Sequence, residues 1–150
     1  MTEQGAKGAR RRTPAEWLFV ACGVWLIGLG AYFLFVRPPL LPEDLRYAGT
    51  NVAALLAAAP RIAQWLDLVF TVMGGFMTGT GALVAYFALQ VLPQRPAGAL
   101  AMMVLTGAVT VVLMSAVNFA LGSDFRWLLL GPPVVWLAAV LALLGGMRSA

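Results

Sequence analysis

Charge is missing from four stretches of this sequence, each long enough to cross a lipid bilayer. They cover residues 17–36, 68–92, 99–121 and 127–147, with lengths of 20, 25, 23 and 21 residues. All ten Lys and Arg and all six Asp and Glu fall outside them. A helix rises about 1.5 Å per residue and the hydrocarbon core is about 30 Å thick, so each stretch can span. The runs are continuously apolar rather than alternating, which selects helices over barrel strands. The sequence therefore predicts an all-α fold, a four-helix transmembrane bundle in a single domain over residues 17–148. Composition supports the same class. Charged residues make up 11% of the chain, under half the roughly 25% of a soluble domain. With 61% apolar residues, the chain is also far from the low-hydrophobicity, high-charge signature of disorder.

The first stretch follows Arg10, Arg11 and Arg12 and could pass for a secretory leader. Its apolar run is longer than the usual ~7–15 residues, and no small-x-small cleavage site follows, so it reads as a retained anchor. Residues 1–16 are expected to be a basic cytoplasmic tail, mostly disordered. With the N-terminus inside, the inner side carries Lys7, Arg10, Arg11, Arg12, Arg95 and Arg148. The outer side carries Arg37, Arg46, Arg61 and Arg126. The dense N-terminal cluster sets the orientation, which puts both termini in the cytoplasm of a multi-pass protein of the inner or plasma membrane. Trp17, Trp65 and Trp127 sit at window edges, where interfacial aromatics belong. Trp25 and Trp136 lie near mid-membrane and are expected to pack against helices or lipid tails.

The connections after the second and third stretches are short and force antiparallel neighbours. The first connection, 37–67, is much longer. Within it, residues 51–59 read as a short helix capped by Thr50 or Asn51 and ended by Pro60. It is too short to span and is expected to lie at the outer interface. Pro60 is then expected to open the second spanning helix.

Several chemistries are excluded by what the chain lacks. There is no histidine, hence no imidazole base, no His ligand for haem and no His-containing zinc site. The lone cysteine, Cys22, can form neither an internal disulfide nor a C-x-x-C pair. No catalytic constellation, metal site or cofactor is expected. Nucleic acid is not an expected partner, because no broad basic surface with interleaved aromatics is present.

Two groups of residues remain as candidates. The first is a polar cluster at the outer pole: Glu43, Asp44, Arg46, Tyr47, Asp67, Asn118, Asp124 and Arg126. It reads either as a solvated, ion-paired loop or as a binding site at the bundle mouth. Arg46 is expected to pair with Asp67, Glu43 or Asp124, since its fork suits a carboxylate. Asp67, beside a spanning window, is the partner with most to gain. Asn118 is expected to bond across to another helix, on a face with Gly107, Thr110 and Met114. The second group is Thr71, Gly74, Gly75, Thr78 and Gly79 on helix two, where Gly75 and Gly79 form G-x-x-x-G. It reads as a close packing face or as a cavity wall. Without a strand or a following Lys-Ser/Thr it is not a phosphate loop. On helix four, Pro132-Pro133 should kink or break the helix. Ala138, Ala142 and Gly146 read as a further packing stripe.

The run Leu41-Pro42-Glu43-Asp44-Leu45-Arg46-Tyr47-Ala48-Gly49, followed by a helix bearing Gly74-Gly75 and Gly79-x-Gly81, resembles the small DoxX-like four-helix membrane proteins of bacteria. The resemblance would cover most of residues 17–147 and implies a four-helix fold. Some related sequences carry a His-Asp-Arg triplet shortly before the Gly-Gly pair. This chain has Asp67 there and no histidine, so no ligand or catalytic role carries over. Small multidrug exporters differ, having an acidic residue inside helix one. Membrane glutathione-transferring enzymes need Arg, Glu and Asn sites within their helices, and these four windows carry no charge. The expected function is non-catalytic, acting by assembly as a homo-oligomer or as an accessory subunit of a membrane complex. The competing expectation is binding or transport of a small lipophilic molecule such as a lipid or quinone.

Overall fold

The computed structural model describes residues 11–148. The described residues form helices and turns, with no strand among them. Six helices follow in chain order: α1 (Pro14–Phe35), α2 (Pro42–Ala48), α3 (Val52–Ala58), α4 (Ile62–Gln94), α5 (Ala99–Ala120) and α6 (Arg126–Met147). Of these, α1, α4, α5 and α6 are long and apolar enough to cross a membrane. Of the tail 1–16 expected to be disordered, residues 1–10 lie outside the described residues, while Pro14, Ala15 and Glu16 form the first turn of α1, with Ala15 and Glu16 buried.

Each end of α1 has a local cause. Thr13 caps its start, its hydroxyl accepting from the Glu16 amide at 3.4 Å while Glu16 accepts the Thr13 amide at 3.1 Å. Pro14 occupies the first turn, where its missing N–H is not needed. The helix thus begins three residues before the uncharged window. Likewise α4 reaches back to Ile62 rather than starting at 68. Pro60 and Arg61 form a turn ahead of it, so Pro60 is not its first residue. The extra length takes in Gln64, Trp65 and Asp67.

In the first connection, α3 appears where a short helix was expected, with the Asn51 side chain accepting from the Ala54 amide at 2.9 Å. A second short helix, α2, was not anticipated. Pro42 opens it, Asp44 accepts the Leu41 amide at 2.9 Å, and Gly49 ends it in the left-handed conformation (φ 64°).

Of the four long helices, α1 is central. It packs closely on α4 and on α6, and α6 packs on α5. Consecutive α4 and α5 make only marginal backbone contact. The spatial order is therefore α4–α1–α6–α5. Antiparallel α1 and α4 approach most closely through two glycine pairs, Gly23 with Gly81 and Gly30 with Gly74. A Cβ on Gly23 would stand 2.7 Å from the Gly81 carbonyl oxygen, and one on Gly30 the same distance from that of Gly74. Both pairs are seven residues apart, two helical turns, so they recur on one face of each helix.

Most buried apolar side chains lie in the half nearer the chain ends, the terminal half. They include Phe19, Cys22, Leu26, Val84, Ala88, Leu92, Met103, Val111, Ala139 and Leu143 around Trp136. Trp136 donates Nε1–H to the Met103 carbonyl at 3.0 Å, meets Phe19 edge-on at 5.3 Å, and lies against Gly107. Burial thus satisfies its polar atom. On α5 the buried positions Met103, Gly107, Val111 and Ser115 step by four. Such a run drifts about 40° per step around an α-helix. A wider π-helical turn over Ala108–Val112 takes up that drift. The packing stripe expected at Ala138, Ala142 and Gly146 is exposed; Trp136, Ala139 and Leu143 carry the contact instead.

The proline pair interrupts α6 as expected. The break falls at Leu130, and helix resumes at Gly131, so both prolines sit in a first turn that tolerates them. Pro132 is buried, and its carbonyl faces the Cys22 sulfur at 3.9 Å.

Candidate functional site

Toward the pole that carries α2 and α3, the loop pole, the buried positions are small or polar: Gly30, Gly74, Ser115, Ser123 and Pro132, with Leu129. Side-chain bonds hold this end together. Glu43 on α2 accepts from the Ser123 hydroxyl at 3.1 Å and from the Asp124 amide at 2.8 Å. Ser123 is 1% exposed, so this is a covered contact between α2 and the α5–α6 turn. One turn along α2, Arg46 pairs with Asp124 at 2.9 Å, with both side chains more than half exposed. Arg126 reaches the Ser123 carbonyl at 3.4 Å.

On its other flank α2 is tied to Arg37. That guanidinium bonds Asp44 at 3.1 Å, donates to the Pro38 carbonyl at 3.0 Å, and lies 3.6 Å over the Phe70 ring. Phe33 is a second ring nearby at 5.3 Å. The Arg37 side chain is only 8% exposed. It therefore joins the end of α1, the first third of α4 and α2 through one ion pair and two cation–π contacts.

Beneath α2 lies a cleft of about 210 Å³, lined by Glu43, Asp44, Tyr47, Leu66, Phe70 and Leu121. It opens where α4 and α5 fail to pack against each other. Its walls are apolar, and its rim is two carboxylates and a phenol.

The expected outer cluster is thus largely assembled, with corrections. Glu43, Asp44, Arg46, Tyr47, Asp124 and Arg126 gather around α2 and the α5–α6 turn. Arg46 takes Asp124, not Asp67. Asp67 is exposed on the second turn of α4 and makes no ion pair among the described residues; the Thr71 hydroxyl donates to its backbone carbonyl. Asn118 does not bridge helices. Its amide donates to the Met114 carbonyl of its own helix at 2.9 Å, which satisfies it without a partner.

The helix-two group splits in two. Gly74 and Thr78 face α1, the Thr78 hydroxyl closing on the Gly74 carbonyl at 2.9 Å. Thr71, Gly75 and Gly79 are exposed, and a Cβ on either glycine would meet nothing within 4 Å. The G-x-x-x-G pair is therefore not the internal packing face; Gly74 and Gly81 are. Residues that sequence reading missed are Arg37, Ser123, Gly23 and Gly30. The seven-residue spacing shared by Gly23–Gly30 and Gly74–Gly81 is a signal that could have found the last two. Among the described residues no group of three His, Cys, Asp or Glu could hold a metal ion.

No family model, no curated protein and no solved structure matches this chain.

Proposed function

We propose that this chain is a non-catalytic multi-pass membrane protein that acts by assembling with a second copy of itself or as an accessory subunit of a membrane complex. In this reading the four long helices form a bundle in the inner or plasma membrane, both termini are cytoplasmic, and α3 lies at the outer interface. Kinship with DoxX-like proteins belongs to the same reading. The observation that carries it is the pair Gly75 and Gly79, exposed at mid-helix on α4 and flanked by exposed Val72, Phe76 and Leu83. The neighbouring glycines Gly74 and Gly81 are already used against α1. In lipid, small residues on a helix surface let a second helix approach closely.

The test is Gly75→Leu with Gly79→Leu. The added side chains meet open space, so thermal stability in detergent should hold. Native mass spectrometry should then show a homo-oligomer or a bound membrane subunit in the parent and a lone chain in the variant. A parent that is a lone chain in mild detergent and in nanodiscs contradicts the reading.

A second reading, binding of a small lipophilic molecule, is favoured by a different observation. The cleft under α2 has apolar walls formed by Leu66, Phe70 and Leu121.

A further inference from the structure

We infer that the cleft beneath α2 holds one chain of a lipid with a primary ammonium headgroup, drawn from the leaflet at the loop pole. The inference rests on the lipophilic-ligand reading and names its ligand class. Leu66 and Phe70 belong to α4 and Leu121 closes α5, so the cleft lies between two helices of spanning length. Because these two do not pack on each other, a cleft between them is open to the bilayer in the proposed membrane bundle. An empty cleft there forfeits dispersion contacts along its walls. Water gains little along that wall, because Leu66, Phe70 and Leu121 offer no polar partner there. The bilayer itself supplies an apolar occupant. At about 210 Å³, the space falls below the ~300–1,000 Å³ of sites that enclose a whole drug-sized ligand. It therefore takes the part of one chain nearest the head rather than an entire lipid.

The rim selects the head. Glu43, Asp44 and Tyr47 line it; the Asp44 charge is offset by Arg37, and Glu43, which makes no ion pair among the described residues, leaves the rim net negative. Asp44 accepts both the Arg37 and Leu41 bonds through Oδ2. A carboxylate offers about four acceptor positions, so Asp44 keeps acceptor capacity beyond these two bonds. An ammonium answers this with charge-assisted N–H bonds. A choline head has no N–H to give, and an anionic head meets like charge.

The experiment uses the full chain in nanodiscs with equal parts phosphatidylethanolamine, phosphatidylcholine and phosphatidylglycerol, followed by native mass spectrometry. One phosphatidylethanolamine should remain per chain, at least tenfold over each of the others. Leu121→Trp, which fills the cleft, should remove it. Asp44→Asn should keep one lipid but lose the headgroup preference. If Asp44→Asn fails to fold, the headgroup comparison on the unaltered chain decides alone. Equal retention of all three lipids, abolished by Leu121→Trp, overturns the ammonium assignment and leaves lipophilic binding standing. No retained lipid, or retention indifferent to Leu121→Trp, overturns both.

Discussion

In the terminal half, Trp136 is buried against Phe19, Met103 and Gly107, and aliphatic side chains of all four long helices fill the space around it. At the loop pole the same helices bury little besides glycine, serine, proline and Leu129. There α2 is fastened by Arg37–Asp44, by Glu43 to the α5–α6 turn, and by Arg46–Asp124. Apolar burial is non-directional and tolerates any well-filled arrangement. Hydrogen bonds and ion pairs fix geometry while contributing little net energy each. The comparison teaches that one end is held by volume and the other by position, and that the end held by position is the one with a cleft.

Four substitutions break or sharpen that contrast. Gly30→Leu should have the largest effect. Its Cβ alone would stand 2.7 Å from the Gly74 carbonyl, so α1 and α4 must separate. A loss above about 5 kcal/mol, enough to exhaust an ordinary stability margin, is expected. The readout is recovery of monodisperse protein from detergent, with Gly75→Leu recovering normally as the control. Trp136→Ala removes the centre of the terminal core and should cost about 3–5 kcal/mol, measured by thermal unfolding in detergent. Arg37→Ala deletes a covered guanidinium and its stacking on Phe70. Because Asp44 is 34% exposed, the loss should be smaller than for a fully buried pair, about 1–3 kcal/mol. It should also increase proteolysis between α1 and α3. Arg46→Ala breaks an exposed pair and should cost about 0–1 kcal/mol. A double-mutant cycle with Asp124→Ala gives its coupling directly. The same cycle with Asp67→Ala should be additive.

The long helices were readable because all sixteen charges fall outside four apolar windows of spanning length. Helix starts were less readable. Thr13 and Arg61 lie outside the uncharged windows, yet caps and first turns accept polar residues readily. The α2 helix escaped notice because its residues drew attention as chemistry, although Pro42, Asp44 and Gly49 are start and stop signals. The loop-pole cluster was legible as composition and partly as geometry, since the chain alone gives no reason for Arg46 to prefer Asp124 over Asp67. The helix-two group was drawn too wide: Gly74 and Thr78 face α1, whereas Gly75 and Gly79 do not. G-x-x-x-G marks a surface able to pack, and only the partner helix decides whether Gly75 or Gly74 faces it. Arg37 was passed over as a topology marker, because its covered state depends on Phe70, 33 residues away.

Pulsed electron spin resonance tests the two-ended account most directly. One pair of spin labels is placed at Val69 and Val117 near the loop pole and another at Leu83 and Leu105 in the terminal half, all exposed positions, in a Cys22→Ala background. The account predicts a narrow distance distribution for the terminal pair, unchanged when Arg37→Ala and Arg46→Ala release α2. It predicts that the loop-pole pair broadens or shifts on that release. Equal, narrow distributions at both ends, unmoved by the two substitutions, would contradict it.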